Sequence, residues 1–537
     1  MLHTWAGFSE MTRTFRRRTC SLTAALAVSL LALSGCGGAS SESENSSTFT
    51  MALPGEIASF HPYTSRSFGN LSSLAYDSLV NLAPDGEIVT GLAEDWQVTA
   101  KGAIFTLRSG ITCSDGTELT ASQVAKSLRW VGDPANQAWF YGALTPPTAY
   151  RVTADDAAGT VAVKLDSPFG FLLQTLGSSV PIVCDGGLKN PESLTTESNG
   201  TGPFVLDSVS GDAYTFTKHE GYEWGPDGAS TADEGTPDEL VFKVVPSETT
   251  AASLLQSGDL NAALVGGPDF KRLEAAGLEH AETSTLIGQV QFNVREGRVT
   301  ADEVVRRALT QAVNLDELTN VQTGGRGSRA TSLLSENPAI CPGDVTSGLP
   351  DYDQRAAERA LDDAGWVRIG GGARSKNGTS LVVDLHYPTA AVGSKAAAEF
   401  LAARWKEIGV ETKLSGDNNS ALQQAIFKTS DFDVYMAGQQ SNLPSTLMPF
   451  VSGAEPPTGF NIPGAHNTDY DRLAAEALTK PGKESCGLWN EAAEALVDDL
   501  VLVPYASNPT TIFTSGATLE LTGLRLPSPT SIKLNDD

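Results

Sequence analysis

The stretch before Cys36 has the three parts of a secretory signal peptide, which sends everything after it to fold outside the cytoplasm. Four arginines lie within 13–18, a mostly apolar run covers 22–33, and small residues occupy 34–35. The apolar run is too short to cross a membrane, which takes about 20 apolar residues. We therefore expect residues 1–35 to be removed on export.

The residues Leu33-Ser34-Gly35-Cys36 resemble a bacterial lipobox, whose cysteine becomes the first residue of the mature chain and carries lipid. We expect lipid on Cys36 to hold the protein on the extracytoplasmic face of the cell membrane. Residues 36–47, rich in Gly and Ser, form a predicted flexible tether. Translation from Met1 or from Met11 fits equally, and the sequence around Arg17-Arg18 favours general secretion over the twin-arginine route.

Composition and motifs narrow the function further. The formal net charge of −27 argues against a nucleic-acid partner, because phosphate backbones are bound by lysine and arginine. The chain has no Gly-x-Ser-x-Gly elbow, no His-Glu-x-x-His and no phosphate-binding Gly-x-x-x-x-Gly-Lys. Its six histidines show no metal-ligand spacing. We expect no catalytic residues, no cofactor and no metal site.

The most informative stretch runs from Gly91 to Leu128. It begins with Gly-Leu-Ala-Glu-Asp-Trp at 91–96, continues as an alternating strand over 103–108, and turns at Ser-Asp-Gly-Thr, 114–117. Thr120 is then expected to cap a helix, since Gln123 follows three residues later.

This stretch closely resembles the family 5 solute-binding proteins of ABC transporters, the group of oligopeptide, dipeptide and nickel binders. Other segments match the family in the same order, over nearly all of the mature chain. We expect most of them to be scaffold. They are Gly200–Phe204, Gln256–Ala263, Phe292–Val294, Val304–Asn314, Ala357–Trp366 and Trp405–Val410.

The resemblance implies an α/β fold of the periplasmic-binding-protein type II (class C), with two lobes and an inserted subdomain. It implies a monomer that encloses a small ligand, peptide-like or otherwise polar, between the lobes and delivers it to an ABC permease and ATPase. The alternatives are a lipid-anchored surface enzyme, or a binding-protein scaffold reused for signalling, adhesion or chaperoning. Mapped onto this chain, lobe I is 48–86, 199–286 and 503–537, the insertion is 87–198, and lobe II is 287–502.

Four cysteines, Cys113, Cys184, Cys341 and Cys486, remain once the signal peptide and the lipidated residue are set aside. An even number in an exported protein predicts disulfides, and four cysteines allow three connectivities. We favour Cys113–Cys184 and Cys341–Cys486, because each pair then lies within one predicted part of the chain.

Two loops are expected to line the ligand cleft. The family equivalent of Ser65, Arg66, Ser67 and Phe68 touches the ligand backbone. The second loop, with Gln439, Gln440 and Asn442, follows a predicted buried strand over 432–437. Many peptide-binding members carry a tryptophan where this chain has Gln439, and an aspartate for the peptide ammonium near Asn442. A neutral amide cannot make a charge-assisted bond to an ammonium group, so we expect a ligand with hydroxyls or amides, such as a capped peptide or a glycan.

Overall fold

The structure is a computed structural model that describes residues 47–68, 71–142, 144–335, 337–368, 370, 372–438, 441–521 and 527–535. The predicted signal peptide, the lipidated cysteine Cys36 and all but the last residue of the predicted tether lie outside the described residues. Gln439 and Gln440 also lie outside them.

Strands of the described residues form five sheets. In chain order they are β1 Thr48–Leu53, β2 Val80–Leu82, β3 Ile88–Thr90, β4 Ala93–Thr99, β5 Gly102–Leu107, β6 Tyr150–Asp155, β7 Thr160–Leu165, β8 Phe204–Ser210, β9 Ala213–Lys218, β10 Glu239–Val244, β11 Ala262–Leu264, β12 Glu279–Phe292, β13 Val367–Arg368, β14 Arg374–Lys376, β15 Thr379–Ser380, β16 Val382–Pro388, β17 Glu411–Asp417, β18 Val434–Met436, β19 Leu502–Thr514, β20 Ala517–Thr518 and β21 Lys533–Leu534.

The α-helices range from a single turn to almost four turns. They are α1 Ser72–Ala75, α2 Ala121–Gly132, α3 Asp185–Lys189, α4 Glu248–Ser257, α5 Phe270–Ala275, α6 Glu303–Gln311, α7 Leu315–Thr323, α8 Gln354–Asp363, α9 Ser394–Glu407, α10 Asn419–Gln424, α11 Pro444–Val451, α12 Thr468–Ala477 and α13 Cys486–Asp498. Within the described part of the chain, none is long and apolar enough to cross a membrane.

One ten-stranded mixed sheet organises the molecule, in the order β17-β16-β18-β12-β19-β11-β1-β10-β9-β8. Strands β8 to β11 and β1 come from segments predicted to form lobe I, and β16 to β18 come from predicted lobe II. The long strands β12 and β19 run antiparallel between these two groups and pair with each other from 279 to 291 and from 502 to 514. They therefore form a two-stranded ribbon that connects the two halves of the sheet.

The middle of this ribbon has no regular strand beside it. β11 pairs with β19 only at 512–514, and β18 pairs with β12 only at 290–292. Between these points, among the described residues, a single bridge joins Ser507 to Ser328. The register of the ribbon shifts on both sides of Gly288. Such an irregularity bends and twists a strand locally, which suits a hinge.

The predicted insertion contains a separate antiparallel sheet, β4-β5-β7-β6, with helix α2 packed on it. The side chain of Thr120 accepts a hydrogen bond from the Gln123 amide, so the predicted helix cap is confirmed. β5 at 102–107 lies within one residue of the predicted strand. Alternating apolar residues of this sheet are buried, including Phe105, Val161 and Val163.

Both favoured disulfides are present in the structure, Cys113–Cys184 and Cys341–Cys486. The second joins α13 to the segment around 341. The same region contacts the insertion: the Gly482 amide donates to the Gly170 carbonyl at 2.7 Å, and the Phe171 and Trp489 rings lie 6.3 Å apart. Predicted lobe II thus touches the insertion directly, in addition to its connection through the ribbon.

The segment at 200–204, one of those that resemble the family, has a structural role around a buried carboxylate. Asp77 accepts hydrogen bonds from Tyr222 Oη at 2.9 Å, Thr201 Oγ1 at 2.9 Å and Trp224 Nε1 at 3.0 Å. A Cβ on Gly202 would overlap the main chain of Ala75, so only glycine allows this close approach. The expectation that this segment is scaffold fits these contacts.

We predict that the contribution of Asp77 to the free energy of unfolding decreases as the pH rises from about 4 to about 7. Burial raises the pKa of Asp77 to about 7 and outweighs the three hydrogen bonds that favour the ionised form. The unfolded chain releases this proton near pH 4, so between the two pKa values the folded state binds more protons. The stability advantage of wild type over Asp77→Asn, measured by urea unfolding at pH 4.5, 5.5, 6.5 and 7.5, should therefore shrink with rising pH.

A surface carboxylate supplies the control for this prediction. Hydrogen bonds from Ser122 lower the pKa of the exposed Asp156, so the sign is reversed. The wild-type advantage over Asp156→Asn should grow or stay constant with rising pH. An advantage over Asp77→Asn that does not change with pH would contradict the assignment.

Candidate functional site

The parallel strands of both halves of the large sheet point their carboxyl ends at the middle of the ribbon. In lobe I, β1, β10 and β11 are parallel. The carboxyl end of β11 pairs with Ile512 of β19 and points toward residues 511–508 of that strand. In lobe II, β16, β17 and β18 are parallel. The carboxyl end of β18 pairs with Val290 of β12 and points toward residues 289–286 of that strand. Ligands of open α/β sheets bind outside the carboxyl ends of strands, so this region is the candidate site.

The first predicted loop follows β1 at the carboxyl edge of lobe I. Ser65 is buried, its Oγ lies 3.1 Å from Ser67 Oγ, and it accepts the Phe68 amide at 3.4 Å. Phe68 is fully buried, with its ring 5.0 Å from that of Phe60. Its ring therefore anchors the loop, while Arg66 and Ser67 are exposed. A ligand contact at these four positions stays a prediction.

The insertion holds this loop in place through Tyr63. The Tyr63 hydroxyl donates to the Pro181 carbonyl at 2.8 Å and lies 2.9 Å from Ser127 Oγ, and its ring stacks on Trp130 at 4.8 Å. The Tyr63 carbonyl accepts the Trp139 amide at 2.9 Å. The loop and the insertion therefore form one rigid wall.

His61, at the base of the same loop, is held neutral. Burial lowers the pKa of its imidazole, and Nδ1 accepts the Tyr63 amide at 3.1 Å. The ring nitrogen that accepts this bond carries no proton, which favours the neutral form. The base of the loop thus offers no histidine charge to a ligand.

Sequence reasoning missed two exposed aromatic residues beside this loop. Trp139 is 37% exposed and Tyr141 is 44% exposed, and both belong to the insertion segment that bonds to Tyr63. Aromatic side chains that stay partly exposed offer a large contact area for a ligand. The sequence signal was an aromatic cluster, Trp139-Phe140-Tyr141, in a loop, but only the structure shows which rings remain outside the core.

The second predicted loop follows β18 and lies against the ribbon. A Cβ on Gly438 would overlap the carbonyl oxygen of Leu286, so the loop passes the ribbon at backbone distance. Asn442 is half-buried, and the Ser441 carbonyl accepts the Ser335 amide at 2.8 Å. The neighbouring Gln439 and Gln440 are outside the described residues, and ligand binding by all three amides stays a prediction.

Hydrogen bonds connect this loop and the segment around 335 to the ribbon. We call this network the polar circuit, and its members are Ser284, Gln289, Ser335, Asn337 and Ser441. The Ala437 amide donates to the Gln289 carbonyl at 3.1 Å, and Asn337 Nδ2 donates to the Ser284 carbonyl at 3.4 Å. The bond between Ser335 and Ser441 completes the circuit. The five named residues have uncharged polar side chains, and the main chain of Ala437 supplies a further donor.

The carboxyl edge of lobe II also carries a close pair of polar side chains. His386 Nδ1 lies 2.6 Å from Asp417 Oδ2, and both side chains are 13% exposed. The Asp417 carbonyl accepts the Thr389 amide at 3.0 Å, so the pair joins the ends of β16 and β17. Within the described part of the chain, no group of three or more His, Cys, Asp or Glu side chains is placed to hold a metal ion.

We predict that Gly438→Ala destabilises the protein and weakens ligand binding, because the new Cβ pushes the loop away from Leu286. Overpacking against backbone lowers the free energy of unfolding by about 1–3 kcal/mol. The matched control is Gly487→Ala in α13, where a Cβ meets no atom within 4 Å. That change should leave the free energy of unfolding unchanged or raise it by up to about 1 kcal/mol. Equal urea midpoints of unfolding for the two variants would contradict close packing of the loop against the ribbon.

Similar proteins bear on what this site does. Residues 87–457 match the family described as "Bacterial extracellular solute-binding proteins, family 5 Middle". The "Nickel-binding periplasmic protein" of Escherichia coli K12 is 26% identical over 410 residues, which cover 73% of this chain and 75% of that protein. The "Glutathione-binding protein GsiB" of Shigella dysenteriae is 25% identical over 453 residues, 80% of this chain and 82% of that protein.

A solved structure agrees with this family. A substrate-binding protein from Microbacterium hydrocarbonoxydans, complexed with 4-hydroxybenzoate hydrazide, superposes with a TM-score of 0.68 at 26% identity. The match covers 91% of this chain and all of that one. The two-lobed type II fold implied by the sequence is confirmed. The chain belongs to the bacterial extracellular solute-binding proteins of family 5.

Proposed function

We propose that this protein is a lipid-anchored receptor that captures a small polar ligand between its two lobes and delivers it to an ABC importer. It binds its ligand without transforming it. The receptor works on the extracytoplasmic face of the membrane, beside the permease and ATPase that take up the ligand.

The observation that carries the proposal is the convergence of both sets of strand ends on the β12–β19 ribbon. A ligand that touches both edges is bound more tightly when the lobes are closed than when they are open. Only such a difference in affinity can shift the population toward the closed state. Closure also removes water, which strengthens each polar contact with the ligand.

The amides of the second loop favour a ligand without a recognised positive charge. Asn442 lies near the position where an aspartate would serve a peptide ammonium group, and it is half-buried. The names of two relatives and the description of the solved structure mention nickel, glutathione and 4-hydroxybenzoate hydrazide. These three compounds, with capped and uncapped dipeptides, form a suitable first panel.

We expect at least one compound of the panel to raise the melting temperature of the protein and to compact it. Differential scanning fluorimetry measures the first effect, and small-angle X-ray scattering with and without the compound measures the radius of gyration. A 100-fold excess over Kd stabilises by about 2.7 kcal/mol. Ligand binding with no compaction would contradict capture between the lobes, and chemical conversion of the bound compound would contradict a receptor.

We predict that Cys36→Ser moves the protein from the membrane fraction to the soluble fraction and leaves folding unchanged. The substitution removes the only proposed lipid attachment site, and the described residues begin at 47. Immunoblots of fractionated cells measure the partition, and the melting temperature of the released protein checks the fold. The Cys20→Ser variant is the control, because that residue lies in the predicted signal peptide. Equal membrane retention of both variants would refute the anchor.

A further inference from the structure

Several buried polar groups around the ribbon have no hydrogen-bond partner among the described residues. Gln289 Nε2, Ser335 Oγ, Ser445 Oγ and Asn508 Oδ1 are the four such atoms in this region. The side chains of Gln289, Ser335 and Ser445 are 0%, 8% and 7% exposed. A buried polar group without a partner costs about 1–3 kcal/mol, so four in one region call for an explanation.

Contacts place these four groups around the same part of the molecule. Gln289 and Ser335 belong to the polar circuit, and Ser445 is the second residue of α11, which follows the second loop. Asn508 pairs across the ribbon with Thr285, next to Ser284 of the circuit. The segments that carry the unpartnered atoms therefore meet near the middle of the ribbon, at the carboxyl edges of the two groups of parallel strands.

The hydrogen-bonding capacity of these four atoms determines which ligand group could satisfy them. Gln289 Nε2 is an amide nitrogen and can only donate, and Oε1 of the same side chain already accepts Gln291 Nε2 at 3.0 Å. Asn508 Oδ1 can only accept, while its Nδ2 donates to the Pro509 carbonyl at 3.1 Å. The two serine hydroxyls can do either. A complementary group must present both a hydrogen-bond acceptor and a donor, as an amide does.

Two arginines near the ribbon are already bound to acidic partners. Arg326 Nη2 lies 3.0 Å from Glu282 Oε1, and Arg326 Nη1 donates to the Gly266 carbonyl at 2.7 Å. Arg329 lies 3.9 Å from Asp316. Glu336 is outside the described residues and is not assigned to the site. A ligand charge placed among the four neutral groups would lose its hydration without gaining a counter-charge from them.

We propose that Gln289, Ser335, Ser445 and Asn508 form an inner subsite that binds an uncharged amide group of the ligand. The inference rests on the proposed function and names the chemical class of ligand for that receptor. It adds residues from the ribbon and from 335 to the two loops predicted from sequence. Arg66, Ser67 and Asn442 would then contact the more exposed parts of the same ligand.

Isothermal titration calorimetry with two dipeptides tests the subsite. The probes are acetyl-glycyl-glycinamide, which is uncharged, and glycylglycine, which is zwitterionic. We expect the uncharged peptide to bind about tenfold more tightly, since one unpaired buried charge or hydrogen bond is worth at least that factor. Gln289→Met and Ser335→Ala should each weaken binding of the uncharged peptide at least about fivefold.

The control is Thr412→Val in the edge strand β17, which removes another buried hydroxyl that has no partner. It should leave the affinity unchanged, and its melting temperature shows what the loss of a buried hydroxyl does by itself. Equal or tighter binding of glycylglycine, unchanged affinity in both subsite variants, or binding of neither peptide would overturn the subsite.

Two further results distinguish a failure of the amide subsite from a failure of the receptor proposal. If another compound of the first panel still compacts the protein, the receptor function stands and only the amide subsite is wrong. If no compound compacts it, the receptor proposal itself fails.

Discussion

The antiparallel pairing of β12 with β19 is the interaction on which the rest of the structure depends. It joins residues more than 200 positions apart, such as Thr285 and Asn508, and it is the link between the two groups of strands in the large sheet. Its outer edges are occupied by β11 at one end and β18 at the other, which fixes both halves firmly. The middle, which pairs with no regular strand among the described residues, carries the register shift at Gly288.

The same pairing determines where a ligand can lie. Because β11 and β18 both run antiparallel to their ribbon partners, the carboxyl ends of the two parallel groups face each other. Polar main-chain groups and loops concentrate there, and closure of the lobes removes them from water. The polar circuit supplies neutral hydrogen-bonding groups in that setting. A hinge and a polar site thus arise from one arrangement of strands.

Much of the fold follows from local sequence patterns. The cap at Thr120 and the strand at 102–107 were predictable, since each depends on neighbours within a few residues. The disulfide pairs followed once the chain was divided into its predicted parts. The candidate site was less predictable. Phe68 is an aromatic loop residue in sequence and a core residue in the structure, and only burial distinguishes the two.

By itself, the sequence determined the family and much of the order of its elements, because these rest on motifs, periodicity and composition along the chain. Tertiary structure alone decided which polar groups stay without partners. Gln289 lies in a run that reads as an ordinary buried strand, and its free amide matters only because β12 meets the 437–445 segment and β19. Hydrogen-bond satisfaction depends on neighbours that are distant in sequence, so no local pattern could have revealed it.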